Sequence, residues 1–122
     1  MNSNTPIVEV VQLCYQNSFN AGWHTDPVTG DLLDRNKAEM LCLIHSEISE
    51  AMEGERKSLM DDKLPHRPMA EVELADAVIR IFDYAGRWGY DITGAMAEKM
   101  EYNKHRDDHK PENRLKENGK KF

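Results

Sequence analysis

The chain has no excess of positive charge, no long apolar run and only two cysteines in 122 residues. Each shortage excludes something. A formal charge of -6 rules against a nucleic-acid coat, which needs a basic face. It leaves open an anionic small molecule held through a metal. Without an apolar stretch of membrane length no span is expected, and the opening MNSNTPIVEV lacks the basic-then-apolar order of a signal peptide. Cys14 and Cys42 fall at helical positions rather than as a close-spaced pair, so both are expected as reduced core thiols in a cytoplasmic protein. Five histidines (His24, His45, His66, His105 and His109) show no recurring zinc-ligand spacing. Strand signals are absent too.

What is present is helical periodicity in one domain-sized chain. Four helices are expected, over about 6–20, 36–57, 68–88 and 92–107. Pro6 and Pro68 suit first turns, Asn36 suits an N-cap with Glu39 three residues on, and Gly89 suits the stop after the third helix. Residues 21–35 are dense in turn formers and read as a loop. The tail, 108–122, is basic and is expected to be loosely ordered; from Lys110 it holds five Lys or Arg against two Glu. The expected architecture is all-α, a four-helix, bundle-like single domain over 1–122.

The wheel of the second helix holds an anomaly. Glu47 falls inside an apolar arc with Met40, Leu43, Ile44 and Ala51, and Glu50 falls at its edge. An ionised carboxylate is almost never fully buried unless it is paired or bound to metal. On the third helix, Glu73, Asp76, Arg80, Asp83 and Arg87 form one narrow stripe. Alone, that stripe could be solvated and laced by Asp76–Arg80 and Asp83–Arg87 pairs at i,i+4. Beside an inward Glu47, it becomes a candidate partner. Lys99, Asn103 and Arg106 share an arc of the fourth helix. Four carboxylates from two helices repel: two unit charges 4 Å apart cost ~4 kcal/mol at an effective dielectric of 20. A divalent cation relieves this, and an all-oxygen set suits Mg²⁺ or Mn²⁺ rather than zinc. Lys99 and Arg106 could then hold phosphate oxygens that the metal does not reach.

The order E47-I-S-E50, E73-L-A-D76 and K99-M-E-Y-N103-K-H-R106 resembles the MazG-like all-α nucleoside triphosphate pyrophosphohydrolases over about residues 36–107. The resemblance implies Mg²⁺-dependent hydrolysis of a nucleoside triphosphate, often a deoxynucleotide, to a monophosphate and pyrophosphate, by a dimer or tetramer. By position it makes Glu47, Glu50, Glu73 and Asp76 metal ligands, with Glu47 or Glu50 also handling the attacking water. It makes Lys99, Asn103 and Arg106 phosphate holders. Trp23 and His24, in the loop before the second helix, are candidates for base contact. Two other readings compete. A di-iron oxidase would need Glu-x-x-His, which neither carboxylate pair provides. A non-enzymatic helical interaction module would carry the carboxylates as solvated stripes and show no Mg²⁺-linked stabilisation.

Overall fold

The computed structural model describes residues 1–122, and all its regular structure is helical. The elements are α1 (Ile7–Asn20), α2 (Lys37–Lys57), α3 (Met69–Trp88), α4 (Ile92–Lys104), a 3₁₀ turn (Asp107–His109) and α5 (Pro111–Arg114). No helix is long and apolar enough to cross a membrane. The chain forms two compact units, residues 1–90 and 91–122.

The helix ends follow local chemistry. The Asn36 side chain accepts from the Glu39 N–H and caps α2. Asp91 does the same for α4 through the Gly94 N–H. Gly89 ends α3 in the left-handed region at φ 70°, where a side chain would be strained. Between α2 and α3, the buried Asp61 carboxylate accepts from the Lys63 and Leu64 N–H groups and shapes the connector.

In the first unit, α3 is the shared partner of α1 and α2. Small residues make the α2–α3 contact. Ala51 and Gly54 are buried on α2, and Ala70 and Ala77 on α3. A Cβ added at Gly54 would lie 3.0 Å from the Met69 Cβ, so the backbones are already close. Glu47 shares the i, i+4, i+7 stripe with Ala51 and Gly54. Glu73 lies between Ala70 and Ala77 in the same way. Close backbone approach therefore brings the two carboxylates toward each other. On the other side of α3, Cys14, Phe82 and Ala85 are buried where it meets α1, and Gly86 lies against the Tyr15 ring. Cys42, expected in the core, is instead exposed on α2.

The second unit differs in two respects from the sequence expectation. Its helix α4 stops at Lys104, because Arg106 turns extended (φ -72°, ψ 128°) and forms a two-pronged pair with Asp108. The tail also carries more regular structure than its composition implied. Lys110 is extended ahead of Pro111, which opens α5, and Asn113 donates to the Asp107 carbonyl. No residue of α4 is buried.

Replacing Gly86 with Ala would drive a methyl group into Tyr15. Overpacking of this kind costs about 1–3 kcal/mol. Urea unfolding should show a lower midpoint for Gly86→Ala with an unchanged slope.

Candidate functional site

Carboxylate oxygens of Glu47, Glu73 and Asp76 all lie within 4.8 Å of one another. Glu47 is 9% exposed, Glu73 is half-buried and Asp76 is exposed. The cluster thus grades from the helix interface outward. The inward pointing of Glu47 follows from its place on the α2 stripe. Its Oε1 accepts from the Arg80 Nε at 2.8 Å, an ion pair that bridges α2 and α3. Arg80 does not take Asp76 as an i,i+4 partner; it compensates the carboxylate that water reaches least.

The crowding raises proton affinities. Glu73 is pushed up to about 7 by desolvation first, then by sharing a proton with Glu47 and by the charge of Glu50. Asp76 is also raised, through desolvation and the Glu47 charge, partly offset by Arg80; Asp61 and Glu50 add smaller contributions. Glu50 itself is exposed and lies outside the three-oxygen group, yet it raises Glu73 both through its charge and by hydrogen bonding to it. Of the four expected ligands, three converge and Glu50 stands at their edge.

This donor set fits a hard divalent cation. All three atoms are carboxylate oxygens, and ligands on opposite sides of a Mg²⁺ ion stand about 4.2 Å apart. Three ligands on one octahedral ion include neighbouring pairs about 3 Å apart, so carboxylates within 4.8 Å of one another would draw inward on binding it. No nitrogen or sulfur donor is in the group, so zinc and copper are poor matches.

Glu47, Asp76 and Arg80 also line a cleft of about 1150 Å³ between α1 and α3. Its walls are mainly apolar, from Val10, Leu13, Cys14, Val78, Ile79 and Phe82. Polar groups occur at intervals: Ser18, Asp83 and Arg35. Trp23 lines it as well and is 66% exposed. Arg35 donates to the Trp23 carbonyl at 3.0 Å and ties that segment of the loop.

His24, expected at a base, is placed behind this cleft rather than in it. It is 0% exposed, and its Nε2 lies 2.7 Å from the Asp83 Oδ1. A carboxylate oxygen only accepts, so Nε2 carries the hydrogen. The Ser18 hydroxyl donates to the Asp83 Oδ2 at 3.0 Å, and its oxygen lies 3.3 Å from the same Nε2. Ser, His and Asp together invite comparison with a hydrolytic triad, but the geometry is wrong for one. In a triad the acid and the serine use opposite ring nitrogens. Here both use Nε2, and Nδ1 is buried with no partner. Asp83 is therefore not paired with Arg87 along its own helix. Arg87 instead donates to the Leu33 carbonyl and stacks on Trp88, whose ring also carries Lys37.

Lys99, Asn103 and Arg106 belong to the second unit. Lys99 sits over the Tyr102 ring, Arg106 pairs with Asp108, and Asn103 has a buried Oδ1 without a partner. Sequence reasoning missed Ser18, Asp61 and the cross-helix roles of Arg80 and Asp83. For Arg80 and Asp83 the one local signal was the polar stripe on α3, which the i,i+4 pairs explained equally well; Ser18 on α1 and Asp61 in the α2–α3 connector lie outside that stripe.

No family model, curated protein or solved structure matches this chain.

The raised Glu73 gives a signed pH dependence. Between its ordinary value of 4.5 and about 7, the folded state holds a proton that the unfolded state has released. Stability from this group is present at low pH and is lost as pH rises through that window. In metal-free buffer, the melting temperature of wild type relative to Glu73→Gln should fall steadily between about pH 5 and about pH 7.5. A pH-independent difference would contradict the assignment.

Proposed function

We propose that the protein is a Mg²⁺-dependent nucleoside triphosphate pyrophosphohydrolase, releasing a monophosphate and pyrophosphate. The observation that carries the reading is the convergence of Glu47, Glu73 and Asp76 oxygens from two helices, with Glu47 and Asp76 also lining a nucleotide-sized cleft. The resemblance of the ordered acidic motifs to the MazG-like family supports it, and deoxynucleotides are the favoured substrates on that ground. Glu47, Glu73 and Asp76 would hold Mg²⁺ or Mn²⁺, with Glu50 beside them. The ion would supply a polarised water and charge neutralisation for the phosphates.

The remaining chemistry belongs to the chain. Glu50 keeps its oxygens outside the three-ligand group, so it is better suited than Glu47 to accept a proton from water. Glu47 has one oxygen committed to Arg80, which fixes its orientation. The apolar wall of α1 and α3 would give a bound base or sugar an apolar surface to pack on. For Lys99, Asn103 and Arg106, the support for phosphate binding is the resemblance and their cationic and amide chemistry.

The deciding experiment is a panel of natural and modified nucleoside triphosphates with Mg²⁺, with products resolved by ion-exchange chromatography. Pyrophosphate and monophosphate should appear in equal amounts, and Glu47→Gln should lose at least about a hundredfold in rate. Orthophosphate and a diphosphate as main products would sink the proposal.

Assembly belongs to the same reading. Leu41, Ile48 and Met52 on α2, and Leu74 on α3, lie outside the cleft and are each more than 40% exposed. Apolar area of this kind is covered most simply by a second copy about a two-fold axis. The active species is thus a homodimer, or two dimers paired as a tetramer. Light scattering on the eluting peak should show no active species at 14.1 kDa, the mass of one chain.

A further inference from the structure

The fold places a carboxylate where an apolar cleft would be cheaper without one. Asp83 lines the α1–α3 cleft with its side chain 16% exposed. Behind it stands a histidine with no solvent access. Holding such a group costs the desolvation of His24 and leaves its Nδ1 unpaired. A structural tie between the 21–35 loop and α3 could be made by an apolar contact at lower cost.

The arrangement fixes the carboxylate and leaves part of it free. Oδ1 accepts from His24 and Oδ2 accepts from Ser18. A carboxylate has about four acceptor positions, so one on each oxygen is still unused. Ser18 and Asp83 both face the cleft. The backing pair prevents Asp83 from rotating away, so a donor arriving from the cleft meets an oriented acceptor.

Position along α3 adds a second constraint. Asp83 follows Asp76 by seven residues, which returns to the same helix face about 10 Å further along the axis. The acidic cluster and Asp83 therefore mark two stations on one wall of the cleft. With phosphates held at the first, the far end of a nucleotide lies at the second.

We propose that Asp83 reads the base: its carboxylate, set by His24 and Ser18, accepts a hydrogen bond from an exocyclic amino group of a nucleotide in the α1–α3 cleft. The inference rests on the nucleotide reading above and goes beyond it by giving the site a specificity. Guanine, cytosine and adenine each carry an amino donor, whereas the single donor of thymine and uracil, N3–H, is flanked on both sides by carbonyl oxygens that a carboxylate repels. Two acceptors facing each other are repulsive, so the carboxylate admits the first group and rejects the second. Within the first group, guanine offers two adjacent donors and the other bases one. His24 is a positioning residue, since it touches only Asp83 and its surroundings.

The test uses α,β-methylene analogues of the deoxyguanosine, deoxycytidine, deoxyadenosine and deoxyuridine triphosphates with Mg²⁺, titrated by calorimetry into the full chain. Wild type should bind at least one amino-bearing analogue about tenfold more tightly than the deoxyuridine analogue. Asp83→Asn keeps the shape, lets the amide oxygen accept from His24 and its amino group donate to the Ser18 hydroxyl. It should abolish that preference while leaving Mg²⁺ affinity unchanged. In wild type, the His24 Nε2–H resonance should move when the favoured analogue binds and stay in place with deoxyuridine. That readout needs no variant, so a misfolded Asp83→Asn does not rescue the idea. Equal affinity of wild type for all four analogues overturns the inference. So does a folded Asp83→Asn protein with the wild-type ranking. If wild type binds no analogue at all, the nucleotide reading falls with it; binding without base discrimination removes the inference alone.

Discussion

Glu47 is an acid buried in a helix interface, and its charge must be answered from within the protein. Arg80 does so from the adjacent helix at 2.8 Å. An unpaired ion in that position would cost several kcal/mol, so the pair constrains what can surround it. The helices must approach closely, hence the alanines and the glycine on both sides of the seam. Close approach then forces Glu73 and Asp76 toward the same point. One guanidinium cannot neutralise three carboxylates, and the remainder appears as raised proton affinity at Glu73 and Asp76. The site is thus held in an unfavourable electrostatic state by packing that is favourable elsewhere. Such a state responds to any added cation.

The same helix serves a second neighbour. The polar stripe of α3 begins with Glu73 and Asp76 toward α2, and continues with Asp83 toward α1 and the preceding loop. A helix usually hides one apolar stripe and wets the other face. On α3, Ala70, Ala77, Ala85 and Phe82 are hidden, yet Glu73 and Asp83 of the polar stripe are half-buried toward partners as well, and Leu74, Val78 and Ile79 are left partly exposed. The arrangement is economical for function, because one rigid element positions groups at both ends of the cleft. Its cost is apolar area that the isolated chain does not cover.

Much of this could be read from residue order. Helix boundaries in the first unit fell within one residue of expectation, because Asn36, Pro68 and Gly89 act locally. The inward turn of Glu47 was legible from the wheel alone. What escaped was choice of partner. Arg80 and Asp83 each had an acceptable i±4 neighbour, and both instead bond across the tertiary interface. Local spacing sets which pairs are possible, whereas burial decides which are required. His24 escaped for another reason: it lies in a turn-rich loop, where no period reports which way a side chain faces. The early end of α4 came from the Arg106–Asp108 pair, a two-residue contact that helical periodicity does not register.

The two tryptophans occupy opposite environments. Trp88 is held between Lys37 and Arg87 at 4.5 Å and 4.3 Å from the ring centre, with its indole nitrogen buried. Trp23 stands on the rim of the cleft and is largely open to water. Indole emission depends on the polarity and mobility around the ring. A ligand entering the cleft would therefore alter the surroundings of Trp23 and leave those of Trp88 unchanged, so one ring would serve as the reference for the other.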